Sequence, residues 1–186
     1  MDDLLKKDIK LKKLQVFFLV CLLHSFALAN EIVYFMPFES RQALTHLISL
    51  INGAQQNINI SIYSFTNREI AKALKKAAQR GVSINIIYDM ESNKKNPKST
   101  IGYLSKYRNI QTCLLSGKKS KNGNYKGLMH QKMAIIDRSV LILGSANWSK
   151  NAFQNNYETL MLTSNPQSIQ KALQTYSLMF EQCAPY

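Results

Sequence analysis

Residues 130–149 read HQKMAIIDRSVLILGSANWS, and this stretch decides how the rest of the chain is interpreted. Six chemically distinctive positions fall in the pattern H-x-K-x4-D-x6-G-S-x-N, namely His130, Lys132, Asp137, Gly144, Ser145 and Asn147. At ordinary composition, six residue types at fixed offsets arise by chance in about one chain in a million of this size. The pattern therefore indicates a functional site.

The motif also predicts a β-hairpin. Two apolar, β-branched runs, GLMHQKMAIID and RSVLILGSAN, meet at an Asp-Arg-Ser turn. Side chains two apart on a strand share a face, so His130 and Lys132 should project together, as should Ser145 and Asn147. Gly144 suggests that the second strand ends there and that its backbone approaches a ligand. An imidazole, an ammonium, a hydroxyl and a carboxamide at one end of a sheet suit a phosphate diester.

On these residues the chain resembles the phospholipase D superfamily, whose HKD signature has this form. One HKD motif per chain, with Asn156-Tyr157-Glu158 after GSANWS, is similar to the short Nuc-type nucleases. The likeness runs from Ile32 to Cys183 and is nearest to the NucT-like secreted or membrane-associated single-strand nucleases. It implies an α/β fold, a phospholipase D-like sandwich with a mixed central β-sheet flanked by helices.

The resemblance also implies roles for the motif residues. His130 is the expected nucleophile, which forms a phosphohistidine that water then hydrolyses. Glu158 is the expected acceptor that fixes the tautomer of the histidine ring. Lys132, Ser145 and Asn147 are expected to bind the phosphate oxygens as charge builds in the transition state.

Asp137 is grouped with these catalytic residues, although two roles remain open for it. It either orients another motif residue or holds the hairpin together. No carboxylates are spaced for two magnesium ions, and no G-x-G-x-x-G follows the first predicted strand. We therefore expect a site with no metal and no cofactor.

The leaving group needs a second histidine as its acid, and the sequence offers only two others. His24 lies in the N-terminal apolar segment, and His46 has the spacing of a partly buried helix residue. Relatives with two motifs carry both histidines in one chain. The resemblance therefore implies a homodimer with a shared active site, in which His130 of each subunit contributes.

The hydropathy pattern agrees with an α/β domain. Strands are predicted in IVYFMP, NINISIYSF, VSINIIYD, IQTCLL, the motif hairpin and YETLMLT. Helices are predicted in ESRQALTHLISLING, in REIAKALKKAAQRG and over residues 166–183. A chain of 186 residues that is 46% hydrophobic has material for one domain with a real core.

Residues 1–29 are interpreted as a targeting segment. A charged stretch is followed by about sixteen largely apolar residues that end in Ala27-Leu28-Ala29, the pattern of a cleaved signal peptide. An uncleaved N-terminal membrane anchor is the alternative. Both place residues 30–186, the nuclease domain, in the periplasm or on the outer face of a bacterial membrane. There Cys113 and Cys183 favour a disulfide over two buried thiols.

The net charge of +13 favours polyanions, either nucleic acid or an acidic membrane surface. The densest basic patch precedes the motif, and it is predicted to track a phosphate backbone while its tyrosine stacks on an unpaired base. Its members are Lys118, Lys119, Lys121, Tyr125 and Lys126. The alternative for this patch is a solvated loop.

Three weaker features complete the candidate site. Asn93 to Lys98 form a second basic loop. Residues 64–66, Ser-Phe-Thr, follow a predicted strand and are expected to line the substrate groove. Trp148 is expected to pack beneath the motif rather than to stack on a base.

The leading hypothesis is a metal-independent nuclease that hydrolyses DNA, with single strands preferred and RNA as a further substrate. The alternative enzyme is a phospholipase D or cardiolipin-type lipid phosphodiesterase, because the same chemistry serves lipid head groups. A third possibility is a binding protein with a decayed site, which the complete motif argues against.

Overall fold

The computed structural model describes residues 30–186, and the predicted targeting segment, residues 1–29, lies outside the described residues. One mixed sheet has the strand order β1-β7-β6-β5-β2-β3-β4-β8. The strands are β1 (Glu31–Met36), β2 (Asn57–Ile62), β3 (Ser83–Asp89), β4 (Ile110–Leu115), β5 (Lys132–Ile136), β6 (Val140–Gly144), β7 (Glu158–Thr163) and β8 (Ala184–Pro185). The β2-β3 and β3-β4 pairs are parallel and the others antiparallel.

Helices flank this sheet, so the predicted α/β class is confirmed. They are α1 (Ser40–Gly53), α2 (Arg68–Gln79), α3 (Met90–Asn93), α4 (Ile101–Leu104), α5 (Lys150–Gln154) and α6 (Pro166–Phe180). The last helix is shorter than predicted, because the chain turns after Phe180 to form β8. None of the helices described between residues 30 and 186 has the length and apolarity to cross a membrane.

The alternation of side chains along the strands gives the sheet two different faces. One face carries Ile60 and Ile86 and is covered by α1, α2 and α5, with Trp148 and Phe153 completing its core. The other face carries residues such as Ile135 and is covered by α6. Helix α6 packs on β5 and β6, and on β1 the apolar side chains at positions 33 and 35 are 41% and 55% exposed.

The predicted motif hairpin is present, with Ile136 opposite Val140 in antiparallel register. Asp137 and Arg138 both have positive φ, 49° and 55°, as in the turn type that matches the twist of two paired strands. The strands are shorter than predicted, so His130, Ser145 and Asn147 lie just beyond their ends, whereas Lys132 is the first residue of β5. Gly144 approaches the Thr159 carbonyl of β7 so closely that a Cβ would collide with it. The expected close approach is therefore to a neighbouring strand and not to a ligand.

A disulfide joins Cys113 of β4 to Cys183, 70 residues further along the chain, as predicted. Closing a loop of that length in the unfolded chain stabilises the folded state by about 4 kcal/mol on the chain-entropy model. We expect the Cys113→Ala/Cys183→Ala variant to lose about 2–4 kcal/mol of unfolding free energy in a urea titration. Dithiothreitol should destabilise the wild type by a similar amount and leave the double variant unaffected. A wild-type midpoint that does not change on reduction contradicts this prediction.

Candidate active site

The site is built at one edge of the sheet, where β2, β3 and β6 end and β5 and β7 begin. His130 lies two residues before β5, and the Tyr63 N–H donates to the Gln131 carbonyl at 2.9 Å, which extends the β2-β5 pairing up to the histidine. Ser145 follows β6 directly, and Glu158 is the first residue of β7. Neighbouring strand ends thus bring residues that are distant in sequence to one place.

His130 and Lys132 are in direct contact, as their spacing predicts. The Lys132 Nζ lies 3.0 Å from His130 Nδ1 and 3.2 Å from Nε2, and it donates to the His130 carbonyl at 2.8 Å. Lys132 is 7% exposed, whereas His130 is open to solvent. An exposed imidazole backed by a buried ammonium can attack an incoming anion while the cation neutralises it.

Burial has a consequence for Lys132. Desolvation of the ammonium lowers its pKa below the ordinary value, and the carboxylates of Glu158 and Asp89 oppose this shift only in part. The charged lysine therefore lacks a fully compensating partner within the described chain. A phosphate oxygen would supply that partner.

Glu158 lies at the site but does not contact the residue that we expected. The Ser145 hydroxyl donates to its Oε2, and the Asn156 amide donates to its Oε1 at 3.3 Å. Ser145 Oγ also accepts from the Thr159 N–H at 3.0 Å. The expected hydrogen bond between Glu158 and His130 is not formed within residues 30–186. Glu158 instead orients the Ser145 hydroxyl and faces the buried lysine.

Asn147 reaches the site from the segment after β6. Its Oδ1 accepts from the Ser64 N–H at 3.2 Å, and within residues 30–186 no hydrogen bond engages its amide N–H groups, which can therefore donate to a ligand. The Trp148 N–H donates to the Ser64 carbonyl at 3.0 Å. Trp148 is buried with its ring against Phe65, 5.1 Å between centroids, which confirms its packing role. Phe65 is also fully buried, so its expected place in the substrate groove was wrong, whereas Ser64 and Thr66 are partly exposed.

The grouping of Asp137 with the catalytic residues was also wrong. Asp137 lies at the opposite end of β5 from His130, roughly 20 Å away at about 3.3 Å per residue. Its carboxylate accepts hydrogen bonds from three successive backbone N–H groups, those of residues 55, 56 and 57, at 2.8, 2.8 and 3.0 Å. Of its two open roles, Asp137 therefore has the structural one, joining the hairpin turn to the start of β2.

Partial burial opposes the charge of Asp137, but the three backbone N–H groups outweigh it and lower the pKa of the carboxyl. An acid with a lowered pKa stabilises the fold above its ordinary pKa, and the effect is lost as pH falls through the folded value. We expect Asp137→Asn to cost about 1–3 kcal/mol at neutral pH, with a smaller difference from wild type below pH 3.8. Urea titrations at the two pH values measure both, and a cost independent of pH would refute the charge-based explanation.

Two further residues shape the site and were missed from the sequence. The centroid of the Tyr63 ring lies 4.4 Å from the centroid of the His130 ring and 4.9 Å from the Lys132 Nζ. Asp89 is fully buried at the end of β3, and its Oδ2 accepts from the Met129 N–H at 2.9 Å. It therefore fixes the backbone next to His130. An ionisable residue closing the apolar run SINIIYD was the available signal for Asp89.

The predicted basic patch forms a projecting hairpin over residues 116–129, which we call the basic hairpin. Its two stems are joined by the Gly117 N–H to the Gly127 carbonyl at 2.8 Å and by the Gly127 N–H to the Lys118 carbonyl at 3.0 Å. All four of its lysines are exposed, and Tyr125 is 66% exposed. Since two residues separate Gly127 from His130, the basic hairpin leads directly into the site.

Two remaining predictions for the site concern a second histidine and a metal ion. His46 lies on α1 with its Nδ1 2.8 Å from the Tyr34 hydroxyl, so it does not supply a second histidine to the site. Within residues 30–186 no three His, Cys, Asp or Glu side chains are grouped to hold a metal ion.

Beside Ser145 and Glu158 lies an open cavity of about 520 Å³ with a mainly apolar wall. Phe38 and Tyr157 flank it and are 78% and 83% exposed.

The contacting histidine and lysine, on a mixed sheet flanked by helices, define a single-motif HKD protein. The family described as "Cardiolipin synthase, PLD-like domain" matches residues 47–183, and the chain belongs to this family.

Two solved structures agree with this assignment. The chain is 52% identical to NucT from Helicobacter pylori, with a TM-score of 0.83, over 85% of this chain and 99% of that one. It is 27% identical to Nuc from Salmonella typhimurium, a phospholipase D family member, with a TM-score of 0.70, over 85% and 98% of the two chains. The resemblance to single-motif Nuc-type proteins is confirmed.

The curated relatives carry a different name. The human protein named mitochondrial cardiolipin hydrolase is 29% identical over 143 residues, which is 77% of this chain and 53% of that protein. The mouse protein of the same name is 28% identical over 146 residues, 78% of this chain and 62% of that protein. The chain thus spans a little over half the length of these relatives.

Proposed function

We propose that this protein is a metal-independent phosphodiesterase, an endonuclease that hydrolyses DNA, with single strands preferred and RNA as a further substrate. The observation that carries the proposal is the contact between the exposed His130 ring and the buried Lys132 ammonium. The nuclease relatives named above and the charge of +13 support nucleic acid as the substrate.

The reaction begins with attack on phosphorus by an unprotonated ring nitrogen of His130. A nitrogen–phosphorus bond forms as the bond to the leaving oxygen breaks, and an acid protonates that oxygen. Water then attacks the phosphohistidine, its proton passes to the conjugate base of the same acid, and the nitrogen–phosphorus bond breaks. The histidine is thereby regenerated.

The remaining site residues bind the phosphate oxygens. Lys132 supplies a full positive charge, and the Asn147 amide, whose Oδ1 accepts from the Ser64 N–H, supplies neutral donors. The Ser145 hydroxyl is held by Glu158 and can redirect its proton to an incoming phosphate. These donors stabilise the phosphate oxygens most strongly when charge accumulates there in the transition state, because their positions are fixed beforehand.

The acid is proposed to be His130 of a second copy, in a homodimer with one shared site. The described chain carries one HKD motif, and its other described histidine bonds to Tyr34 away from the site. An exposed apolar patch of Phe35, Phe38 and Tyr157 borders Ser145 and Glu158. Covering such a patch with its two-fold copy would bring the two histidines towards each other.

The protein is further proposed to act in the periplasm or on the outer face of a bacterial membrane. The Cys113–Cys183 disulfide supports this, since such bonds persist in oxidising compartments. Residues 1–29 would then act as a signal peptide or as a membrane anchor. Mass spectrometry of the protein from membrane and soluble fractions distinguishes the two, because cleavage leaves an N-terminus at Asn30.

A lipid phosphodiesterase is the second candidate function. The curated relatives named for cardiolipin and the apolar cavity beside Ser145 favour it. An acyl-rich substrate would place its apolar part against Phe35 and Phe38, whereas a nucleic acid would rely on the lysines.

One substrate panel separates the candidates. The purified protein is offered labelled single-stranded DNA, duplex DNA, RNA and cardiolipin vesicles in excess EDTA, with His130→Ala as the control. We expect cleavage of single-stranded DNA in the chelator and none by the variant. Cardiolipin turnover without nucleic-acid cleavage would replace the nuclease proposal with the lipid one. Binding of DNA without any turnover would leave a binding protein.

A further inference from the structure

A basic cavity, separate from the apolar one beside Ser145, lies at the same edge of the sheet and shares no residue with the HKD motif. Its volume is about 490 Å³, and we call it the loop cavity because the segment between β3 and β4 forms most of it. Its charged and aromatic lining consists of Arg68, Lys94, Lys95, Lys106, Tyr103 and Tyr186. Among residues 30–186, no Asp or Glu side chain lines it. Four cations in one cavity whose described lining contains no acid favour a polyanionic ligand.

The loop that carries these lysines is held in one conformation. Asn93 is 1% exposed, and its Oδ1 accepts from the Ser99 hydroxyl at 2.8 Å. Asn96 donates to the Ser92 carbonyl at 3.1 Å and accepts from the Lys98 N–H at 3.0 Å. Because the loop backbone is already ordered, binding a ligand there costs less loop conformational entropy than binding it to a free loop.

The same loop is bonded to the segment that flanks the nucleophile. The Asn93 amide donates to the Tyr63 carbonyl at 2.7 Å, and the Thr100 N–H and hydroxyl both donate to the Phe65 carbonyl, at 3.0 and 3.1 Å. The Tyr63 ring in turn lies 4.4 Å from the His130 ring. Hydrogen bonds therefore link the wall of the loop cavity to residues 63–65, the segment beside the nucleophile.

Two tyrosines in the lining of the loop cavity supply aromatic rings, which single-strand binding sites use for base stacking. Tyr103 is partly exposed, with its ring edge-to-face against Tyr107. Tyr186 is 54% exposed, and its N–H donates to the Thr112 carbonyl at 3.1 Å, next to the Cys113–Cys183 disulfide. Cations and aromatic rings in one cavity let a strand bind through its phosphates and by base stacking.

We infer that the loop cavity is a second phosphate-binding site for the strand whose scissile phosphate lies at His130. Arg68, Lys94 and Lys95 bind phosphates one or more nucleotides away from the cleaved bond. The inference rests on the proposed function, since it assigns the cavity to the same nucleic-acid substrate. It predicts that affinity rises with the length of a single strand until the strand reaches the cavity.

The test measures binding by fluorescence anisotropy with the His130→Ala protein, so that cleavage does not interfere. Two probes are used, a labelled single-stranded tetranucleotide and a hexadecanucleotide. The test variant adds Lys94→Gln and Lys95→Gln, and a matched control adds Lys76→Gln and Lys171→Gln on α2 and α6. All three proteins carry the same His130→Ala background, and the two double variants have equal net charge.

The Lys94/Lys95 variant is expected to bind the hexadecanucleotide about tenfold more weakly, with a smaller loss on the tetranucleotide. The slope of log affinity against log salt should fall in magnitude by about 1.4, because two single-strand phosphate contacts are removed. The control pair should change the affinity less than twofold. The inference would be overturned if the Lys94/Lys95 and Lys76/Lys171 pairs lowered the affinity equally, or if the Lys94/Lys95 pair lowered it equally for both probes. It would also be overturned if the His130→Ala protein bound neither probe.

The same variants separate this inference from the proposed function. If wild-type protein cleaves DNA but the Lys94/Lys95 variant binds the long probe normally, the loop cavity is refuted and the nuclease stands. If the long probe needs Lys94 and Lys95 but no DNA is cleaved, the cavity stands as a binding site for single strands and the nuclease is refuted.

Discussion

Heterodimers of one wild-type chain and one His130→Ala chain are expected to have almost no activity on single-stranded DNA. In the proposed shared site one histidine forms the phosphohistidine and the other is the acid and later the base, so a mixed pair always lacks one of them. Losing a member of such a catalytic unit costs about 10⁴-fold or more in rate, nearly as much as losing the whole unit.

The experiment requires pure mixed pairs. Two affinity tags, one on each kind of chain, allow heterodimers to be isolated by sequential purification and assayed before the chains exchange. Heterodimers of wild-type and His46→Gln chains are the matched control, because His46 lies on α1 and bonds to Tyr34. The control should keep full activity. Mixed His130→Ala pairs with half of the wild-type activity would show that each chain has a complete site.

Replacing Lys132 with Met is expected to lower activity about 10³-fold and leave the free energy of unfolding unchanged or higher. The ammonium is the full positive charge in contact with His130, and preorganised donors of this kind are worth about 10²–10³ in rate when even a neutral one is removed. Burial of the charge is costly without a phosphate, so an apolar side chain of similar shape relieves that cost.

The pH profile provides a second measurement on Lys132. Phosphate binding needs the charged lysine, and burial lowers its pKa from 10.5, so activity should fall as pH rises while still below 10.5. The Lys132→Arg enzyme should have lower activity than the wild type. It should also lack this alkaline decline, because a guanidinium stays protonated. Steady-state kcat/KM of both proteins across that range measures the difference. A wild-type profile that is flat up to pH 10.5 contradicts the role, as does a Lys132→Met variant that is destabilised and active.

The elements that follow from local patterns were predictable from the sequence. The motif hairpin, the α/β class and the pairing of His130 with Lys132 depend on alternation and on fixed spacing, which the chain displays directly. The disulfide between Cys113 and Cys183 was predicted from the expected compartment and the cysteine count. Each of these inferences uses residues that are near in sequence or chemically unique.

The remaining features depend on which strands become neighbours. Asp137 is seven residues from His130, but an extended strand turns that separation into roughly 20 Å. Tyr63 directly follows β2 and Asp89 ends β3, and they meet His130 only because β2 pairs with both β3 and β5. Phe65 was misplaced because its pairing with the buried Trp148 joins segments more than eighty residues apart.

Detection of a phosphohistidine at His130 would show directly that this histidine is the nucleophile. Wild-type protein is mixed with single-stranded DNA in EDTA, quenched in alkali within a single turnover and digested for mass spectrometry. We expect an acid-labile adduct on the peptide that contains His130, which appears and decays with cleavage and is absent from the His130→Ala protein. Cleavage of DNA by the His130→Ala protein, or by wild type with no adduct at any time, would contradict it.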